Sequence, residues 1–403
     1  MTWSLERAEE HLLSLELFGM RLGLERMRRL LTALGEPQDR LDAIHVVGTN
    51  GKSSTVRMAA ALLEAQGVRT GAYLSPHLTT FAERVRVGGE DLAPDDFGAV
   101  VERAAAAAAE VDPTLPGDER VTQFELLTAA AFDALAAAGV GAAVIEAGLG
   151  GRYDATNVLG ARTCVLTNVG LEHTKWLGST IPDIAREKLA VVKPGATLVL
   201  GEADEAVEAL ARGTGARVLR PEPLDVPLRG YQRANFLAAA AAARAHFGPL
   251  DHVAEVAASG NVPGRLETVD HDPLTIVDGA HNPAGMAALA ASLDDEVGER
   301  RLVAVVSVLD DKDAAGMLRT LLGKCGAVVF CASRNPRALP PATLAGLAEE
   351  MGGPPSEVVP DPREAVERAR ELAGPDGAVL ATGSIYLVAD LVADPARGRA
   401  SAL

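Results

Sequence analysis

Cysteine is scarce in this chain of 403 residues. Cys164, Cys325 and Cys331 form an odd set and contain no CxxC pair. Disulfide frameworks and structural zinc sites need cysteines paired at short, regular spacings, so the sequence predicts neither. We expect all three thiols to be reduced and buried.

Long apolar runs and an excess of basic residues are also lacking. No stretch of about 18 uncharged apolar residues occurs, so no membrane-spanning helix is predicted, and Met1–Glu10 lacks the basic and apolar regions of a signal peptide. The formal net charge is −17, which predicts no basic surface for nucleic acid. We therefore expect a cytoplasmic protein with neither a membrane nor a nucleic-acid partner.

Short β-branched runs alternate with amphipathic segments along most of the chain. The first series has predicted strands at 44–47, 143–146, 163–167 and 197–200, and the second at 274–277, 302–306, 327–330 and 378–381. This alternation is typical of an α/β fold with mainly parallel sheets. The segment Ser259–Pro273 is rich in glycine, proline and charge, so we predict two domains, 1–264 and 265–403, with the boundary near Arg265.

The segment Ile44–Thr55 reads IHVVGTNGKSST, an apolar strand, a glycine turn and the start of a helix. Such a turn directs backbone N–H groups and a helix N-terminus at phosphate groups, and a lysine adds positive charge. We predict that Gly48, Thr49, Asn50, Gly51, Lys52, Ser53 and Ser54 bind a nucleotide. The spacing is compact, because Val46 stands where the general P-loop pattern has its first glycine.

Three further residues carry candidate chemistry. Glu146 ends a buried strand before a glycine-rich loop, where it is either a magnesium ligand or the cap of that loop. His173 follows another strand, as a metal ligand or as an ordinary polar residue. Lys188 lies in a charged helical segment, and sequence pattern does not distinguish it from Lys193.

Together these segments resemble the Mur ligase superfamily, in particular its folylpolyglutamate synthase and dihydrofolate synthase branch. The resemblance covers nearly the whole chain and rests on GLERMRRLLTALGEPQ, HVVGTNGKSST, LSPHLTTFAERVRVGG, VIEAGLGGRYDATNV, LEHTKWLG, IAREK, YQRANFLAAAA, VPGRLE, VDGAHNP and ATGSIYL. Three positions depart from the pattern of the branch: Ser53 replaces glycine, Ala82 replaces asparagine, and Glu172 replaces aspartate. The resemblance implies a P-loop-type Mur ligase domain with an N-terminal helical segment, followed by a smaller Rossmann-like domain.

The resemblance also implies roles for individual residues. Ser75, Glu146 and His173 would be ligands of magnesium, and Lys188 would be carried as a carbamate that binds the metal. Asn235 and Asp278 would contact ATP. Arg265, His281 and Ser384 would lie near the incoming glutamate. Two magnesium ions are expected.

The implied reaction is the ATP-dependent addition of L-glutamate to tetrahydrofolate, to dihydropteroate, or to both, through an acyl phosphate, by a monomeric enzyme. One alternative is a Mur ligase that extends a UDP-linked precursor, although only about 43 residues precede the phosphate-loop strand, fewer than an additional UDP-binding domain needs. The other alternative is an ATP-binding module without turnover.

Overall fold

Two β-sheets, formed by successive parts of the chain, make up the framework of the protein. The structure is a computed structural model, and it describes residues 2–16 and 23–392. Met1, in the segment that was tested for a signal peptide, and residues 393–403, in the predicted C-terminal domain, lie outside the described residues. Within the described ranges, no helix is long and apolar enough to cross a membrane.

The first sheet has eight strands in the order β4-β3-β2-β5-β1-β6-β7-β8. Strands β2, β5, β1, β6, β7 and β8 are parallel, and β3 and β4 extend the sheet as an antiparallel edge. The strands are β1 (Ala43–Val47), β2 (Thr70–Tyr73), β3 (Val85–Val87), β4 (Glu90–Asp91), β5 (Ala142–Glu146), β6 (Thr163–Leu166), β7 (Thr197–Leu200) and β8 (Arg217–Leu219).

Helices cover both faces of this sheet, as a buried parallel sheet requires. The helices are α1 (Leu5–Ser14), α2 (Glu25–Ala33), α3 (Lys52–Glu64), α4 (Pro94–Val111), α5 (Gln123–Ala137), α6 (Thr174–Leu177), α7 (Ile181–Leu189), α8 (Glu205–Arg212), α9 (Gly230–Phe247) and α10 (Val253–Ser259). One apolar cluster joins the sheet to α1, α2, α4 and α5, and a second joins it to α3 and α9.

The second sheet has six strands in the order β13-β12-β11-β14-β10-β9, of which only β9 is antiparallel to its neighbour. Apolar clusters again lie on both faces. The elements are β9 (Glu267–His271), β10 (Leu274–Val277), α11 (Pro283–Val297), β11 (Leu302–Val306), α12 (Ala314–Leu321), β12 (Ala327–Phe330), α13 (Pro341–Glu350), β13 (Ser356–Val358), α14 (Pro362–Ala373), β14 (Ala378–Thr382) and α15 (Ile385–Val392).

The predicted α/β fold with mainly parallel sheets is confirmed, and all eight predicted strands are present. Strand β9 was not predicted, because Glu267–His271 lies inside the glycine-, proline- and charge-rich segment Ser259–Pro273 that marked the predicted domain boundary. This strand lies at the sheet edge and is largely exposed, so its residues lack the apolar pattern of a buried strand. The cysteines are free thiols, but only Cys164 and Cys331 are buried; Cys325 is half-buried.

A buried polar chain links the first sheet to the loop after β5. His45 of β1 lies 2.8 Å through Nε2 from Thr156 Oγ1, and the hydroxyl of Thr156 in turn donates to Asp154. Since that hydroxyl donates to Asp154, it accepts from the Nε2–H of His45, which leaves Nδ1 unprotonated. Burial, with a smaller contribution from Lys193, lowers the pKa of His45 to about 3, so the ring is neutral near neutral pH.

This burial predicts a specific loss of stability in acid. The unfolded chain binds a proton at His45 below its ordinary pKa of about 6.5, whereas the folded chain does so only near 3. The free energy of unfolding therefore falls as the pH decreases through this window, by up to about 1.4 kcal/mol per pH unit from this residue. In urea unfolding between pH 7 and 4, His45→Gln should lose less stability than the unmodified chain. His271→Gln, at an exposed position, should follow the unmodified chain, and identical curves for all three proteins would contradict the prediction.

Candidate functional site

A cavity of 1220 Å³ lies between the carboxyl ends of the strands of the two sheets. In open parallel sheets this edge is where ligands bind, because the loops that follow the strands converge there. Every residue that the sequence analysis assigned to the site lines this one cavity. The roles of these residues stay predictions, whereas their convergence is a property of the structure.

The phosphate loop connects β1 to α3 and is held by the strand beside it. The backbone N–H groups of Thr49 and Asn50 donate to the backbone oxygen and to Oδ1 of Asn168, at 3.0 and 2.9 Å. The hydroxyl of Thr167 donates to Asn50 O at 2.6 Å. Lys52, the first residue of α3, donates from Nζ to Thr49 O at 3.2 Å. The loop is therefore a fixed structure with its lysine at the helix N-terminus.

Two glycines of the loop are required by close approach as well as by conformation. Gly51 has a φ of +82°, and a Cβ added to it would lie 2.2 Å from Asn235 Oδ1. A Cβ on Gly48 would lie 1.8 Å from Thr167 Oγ1. Asn235, predicted to contact the nucleotide, thus packs directly on the phosphate loop from α9, where its Nδ2 also donates to Gln232.

Glu146 lies at the carboxyl end of β5, and only 2% of its surface is exposed. Its Oε1 accepts from the hydroxyl of Ser53 at 3.0 Å, and its Oε2 accepts from the backbone N–H of Ser75 at 3.1 Å. Burial raises the pKa of Glu146, and Lys52, these hydrogen bonds and Arg265 offset only part of that rise. A buried carboxylate of this kind gains from a further cation.

His173 is the residue before the short helix α6, in the left-handed conformation with a φ of +50°. Its side chain keeps 40% of its surface exposed, and its Nε2 lies 3.9 Å from Glu172 Oε1. Burial lowers the pKa of His173 to about 4 despite the opposing effect of Glu172. The imidazole is therefore neutral near neutral pH, which is the form that binds metals.

The structure separates Lys188 from Lys193, which the sequence alone did not. Lys188 on α7 is 4% exposed, and its Nζ donates to Gly48 O at 2.8 Å. Burial, together with the nearby Lys52, lowers the pKa of Lys188 to about 7. Lys193 is exposed and donates to Asn157 Oδ1 at 3.2 Å. Only Lys188 combines burial with contact to the phosphate loop.

The second domain contributes its side of the cavity from the loops after β10 and β14. Asp278 is 2% exposed and accepts from Tyr231 Oη and from the backbone N–H groups of Leu266 and Ala280. His281 Nδ1 lies 2.9 Å from Gly279 O. Ser384 is buried and accepts from Tyr386 N at 3.1 Å. Arg265, at the predicted boundary, lies beside Gly279: a Cβ added to Gly279 would be 2.5 Å from Nη1 of Arg265.

Several residues of the cavity were not predicted as site residues. They include Tyr231, Lys312, Phe124, Tyr153 and Trp176. Phe124 belongs to α5, most of whose residues are buried in the core. Apolar and aromatic residues are ambiguous in sequence because core positions use them too. Tyr153 and Trp176 are 47% and 57% exposed, and only the structure shows that they border a cavity.

The residues present include oxygen ligands of the kind that magnesium prefers. Ser53 and Ser75 flank the buried carboxylate of Glu146. No hydrogen bond or ion pair joins Glu146 to His173 or Lys188 among the described residues. Within the same residues, no group of three or more His, Cys, Asp or Glu side chains is arranged to hold a metal ion. These four side-chain types therefore do not form a complete metal site by themselves, and a metal here would need further ligands such as hydroxyl groups and groups of its substrates.

Comparison with known proteins identifies relatives along the whole chain. A family model described as "Mur ligase, glutamate ligase domain" matches residues 264–385. The chain is 36% identical over 381 residues to a Mycobacterium tuberculosis protein named "Dihydrofolate synthase/folylpolyglutamate synthase", covering 82% of this chain and 78% of that protein. It is 35% identical over 419 residues to a Haloferax volcanii protein named "Probable bifunctional folylpolyglutamate synthase/dihydropteroate synthase". That match covers 95% of this chain but only 49% of the longer archaeal protein.

Solved structures share the arrangement of both domains. A Mycobacterium tuberculosis folylpolyglutamate synthase complexed with ADP superposes with a TM-score of 0.90 at 32% identity, over 97% of this chain and 99% of that chain. A Yersinia pestis bifunctional folylpolyglutamate synthase/dihydrofolate synthase complexed with AMPPNP and a Mn ion superposes with a TM-score of 0.86 at 29% identity, over 96% and 97% of the two chains.

The close approach at Gly51 predicts a defect in nucleotide binding that ordinary backbone strain does not cause. Gly51→Ala adds a methyl group 2.2 Å from Asn235 Oδ1, whereas Gly67, with a similar φ of +78°, has no atom within 4 Å of its added Cβ. Both variants should lose about 1–2 kcal/mol of stability from left-handed strain. Only Gly51→Ala should also weaken binding of ATP, by at least about tenfold, or 1.4 kcal/mol. Calorimetric titration of the two variants with ATP checks this, and equal affinities would contradict it.

Proposed function

The chain belongs to the folylpolyglutamate synthase/dihydrofolate synthase family of Mur ligases, and we propose that it uses ATP to join L-glutamate to the carboxylate of a folate-type acceptor. One observation carries the proposal: a single cavity is lined by the phosphate loop of the first domain and by the loops after β10 and β14 of the second. A ligase needs this arrangement, because nucleotide, acceptor and amino acid must meet in one place.

The proposed acceptors are tetrahydrofolate, which would receive further glutamates, and dihydropteroate, which would become dihydrofolate. The double name of the Mycobacterium tuberculosis relative supports both. The dihydropteroate synthase activity in the name of the Haloferax volcanii relative is not included, because this chain spans about half the length of that protein.

The chemical problem is that a carboxylate has a poor leaving group. In the proposed reaction, an acceptor carboxylate oxygen attacks the γ-phosphorus of ATP, the bond to the β–γ bridging oxygen breaks, and ADP and an acyl phosphate form. The neutral amine of glutamate then attacks the acyl carbon and loses a proton, and phosphate leaves as the amide forms. Lys52 would neutralise charge on the transferred group, which is largely electrostatic catalysis.

We propose two magnesium ions, held by Ser75, Glu146, His173 and carbamylated Lys188, with Ser53 beside them. When bound, they would supply positive charge to the phosphoryl oxygens. The raised pKa of the buried Glu146 carboxyl and the neutral imidazole of His173 fit this role. The Mn ion in the Yersinia pestis complex supports a divalent metal in the family.

The proposed carbamate forms when the neutral amine of Lys188 attacks carbon dioxide and loses a proton. Lys188 suits this step, because its Nζ makes one hydrogen bond, to Gly48 O, and no carboxylate lies within 4.0 Å of it among the described residues. The lowered pKa, about 7 chiefly because of burial, leaves much of the amine neutral at physiological pH. The modification would replace a buried cation near Lys52 with an anion.

On the second domain, Arg265, His281 and Ser384 are the proposed contacts of the incoming glutamate, and Asp278 with Asn235 those of the nucleotide. Arginine and histidine suit the two carboxylates of glutamate. All these residues belong to one chain, so we propose a monomer as the working unit.

The reaction predicts release of ADP that requires both glutamate and a pterin acceptor. Purified protein with ATP, magnesium and glutamate should release ADP with dihydropteroate, with tetrahydrofolate, or with both. Lys52→Met should lower kcat by about 100-fold or more, since it removes a charge that stabilises the transition state. Turnover only with a UDP-muramoyl precursor would assign the chain to another Mur ligase reaction. ATP binding without coupled release would indicate a non-catalytic module.

The carbamate predicts a carbon signal that depends on one lysine. Protein equilibrated with ¹³C-bicarbonate should show a bound carbamate carbon by NMR, and Lys188→Met should remove the signal together with most ADP release. Lys193→Met is the matched control and should keep both, because Lys193 is exposed. Full turnover of Lys188→Met, or an unchanged signal in it, would rule out the carbamate.

A further inference from the structure

A pair of asparagines joins the two domains at the phosphate loop. Asn50 Nδ2 donates to Asn282 Oδ1 at 3.2 Å, and Asn282 Nδ2 donates to Asn50 Oδ1 at 3.0 Å. Two amides that each donate and accept in this way fix both side chains in a single relative orientation. Asn282 is 3% exposed and Asn50 is half-buried, so the pair is partly shielded from competing water.

Each asparagine also makes a hydrogen bond within its own domain. The backbone N–H of Asn50 donates to Asn168 Oδ1 at 2.9 Å, within the loop that precedes Lys52. Asn282 is the N-cap of α11, and its Oδ1 accepts from Gly285 N at 2.7 Å. A movement of the phosphate loop should therefore move the N-terminus of α11 as well, because hydrogen bonds hold each asparagine within its own domain.

Two further contacts lie beside the pair. A Cβ added to Gly170 would lie 3.3 Å from Ala284 Cβ, so the two backbones approach closely there. Glu172 Oε1 lies 3.1 Å from His281 Nε2 and 3.7 Å from Lys312 Nζ. This oxygen is buried, and Lys312 places a positive charge near it. The segment 168–172 of the first domain thus faces the segment 281–285 of the second.

We propose that Asn282 is a positioning residue, which clamps the C-terminal domain onto the phosphate loop and thereby couples the binding of ATP to the binding of glutamate. The proposal rests on the proposed function. The same β10–α11 connection carries Asp278 and His281, the proposed contacts of nucleotide and glutamate. A ligand that binds both to the phosphate loop and to this connection therefore favours the position of both residues, and linkage makes the effect reciprocal.

Asn282→Asp tests the clamp, although it also adds a negative charge at a buried position, an effect that Glu172→Gln, which removes a charge, does not share. Aspartate keeps the size of the side chain and the oxygen that caps α11. It replaces the Nδ2 donor with an oxygen that faces Asn50 Oδ1, so one of the two hydrogen bonds of the pair becomes a contact between two oxygens. The matched control is Asp361→Asn, the converse change at the N-cap of α14, where the side chain accepts from Arg363 and Glu364 N–H groups and the cavity is not involved.

We expect Asn282→Asp to weaken binding of a non-hydrolysable ATP analogue and to raise KM for glutamate, each by about three- to tenfold, the range of one buried hydrogen bond. Thermal midpoints should match in the two variants, and Asp361→Asn should leave both constants unchanged. X-ray scattering should give a larger radius of gyration for Asn282→Asp with the analogue bound than for the unmodified chain. Unchanged constants and an unchanged radius would overturn the proposal.

Glu172→Gln supplies a second test if Asn282→Asp does not fold. It removes the charge opposite His281 and Lys312 and should raise KM for glutamate and the radius of gyration in the same direction. Failure of the proposed function is distinguishable, because the unmodified chain would then show no glutamate-dependent ADP release. In that case, affinity for the ATP analogue and the radius of gyration still decide whether the clamp exists.

Discussion

The buried carboxylate of Glu146 is the constraint around which the site is arranged. Removing a carboxylate from water is costly unless hydrogen bonds and cations compensate for it. Here Ser53 of the phosphate loop and the backbone of Ser75 supply the hydrogen bonds, and burial still leaves the pKa of the carboxyl raised. The same contacts join the carboxyl ends of β2, β5 and β1, which are neighbours in the sheet. The phosphate loop is therefore positioned by Glu146, the group that most needs a positive charge nearby.

The second domain brings a different kind of constraint: close to the phosphate loop it contacts the first domain through polar groups, whereas elsewhere α11 packs on α9 and Leu78 packs on the core of the second domain. The asparagine pair and the contact between Glu172 and His281 occupy adjacent positions after β10. Polar contacts of this kind have strict geometry but bury little apolar area. They therefore fix how the two domains are oriented when in contact, while still allowing the domains to separate. A ligase that must admit three substrates and then exclude water needs an interface of this sort.

The sequence was sufficient for eight of the parallel strands and for the residues at their carboxyl ends, because apolar runs followed by glycine or polar turns occur there, but it did not predict the short parallel strands β2, β8 and β13. It was insufficient where tertiary contacts decide the outcome. Strand β9 has a polar exposed pattern and is a strand only because β10 lies beside it. Lys188 and Lys193 are alike in sequence and differ only in burial. Asn282 belongs to a motif that was recognised, but its partner Asn50 lies 232 residues away, and no local pattern encodes that contact.

The charge balance of the cavity gives a physical reason for its dependence on cations. ATP, glutamate and a folate are all anions, and the chain carries a net charge of −17. Among the described residues that line the cavity, lysines and arginines do not outnumber aspartates and glutamates. The wall therefore offers no general excess of positive charge, and Lys52 and Arg265 act as single local charges near Glu146. Binding three anions in such a cavity requires positive charge that arrives with them, which is the role proposed for magnesium.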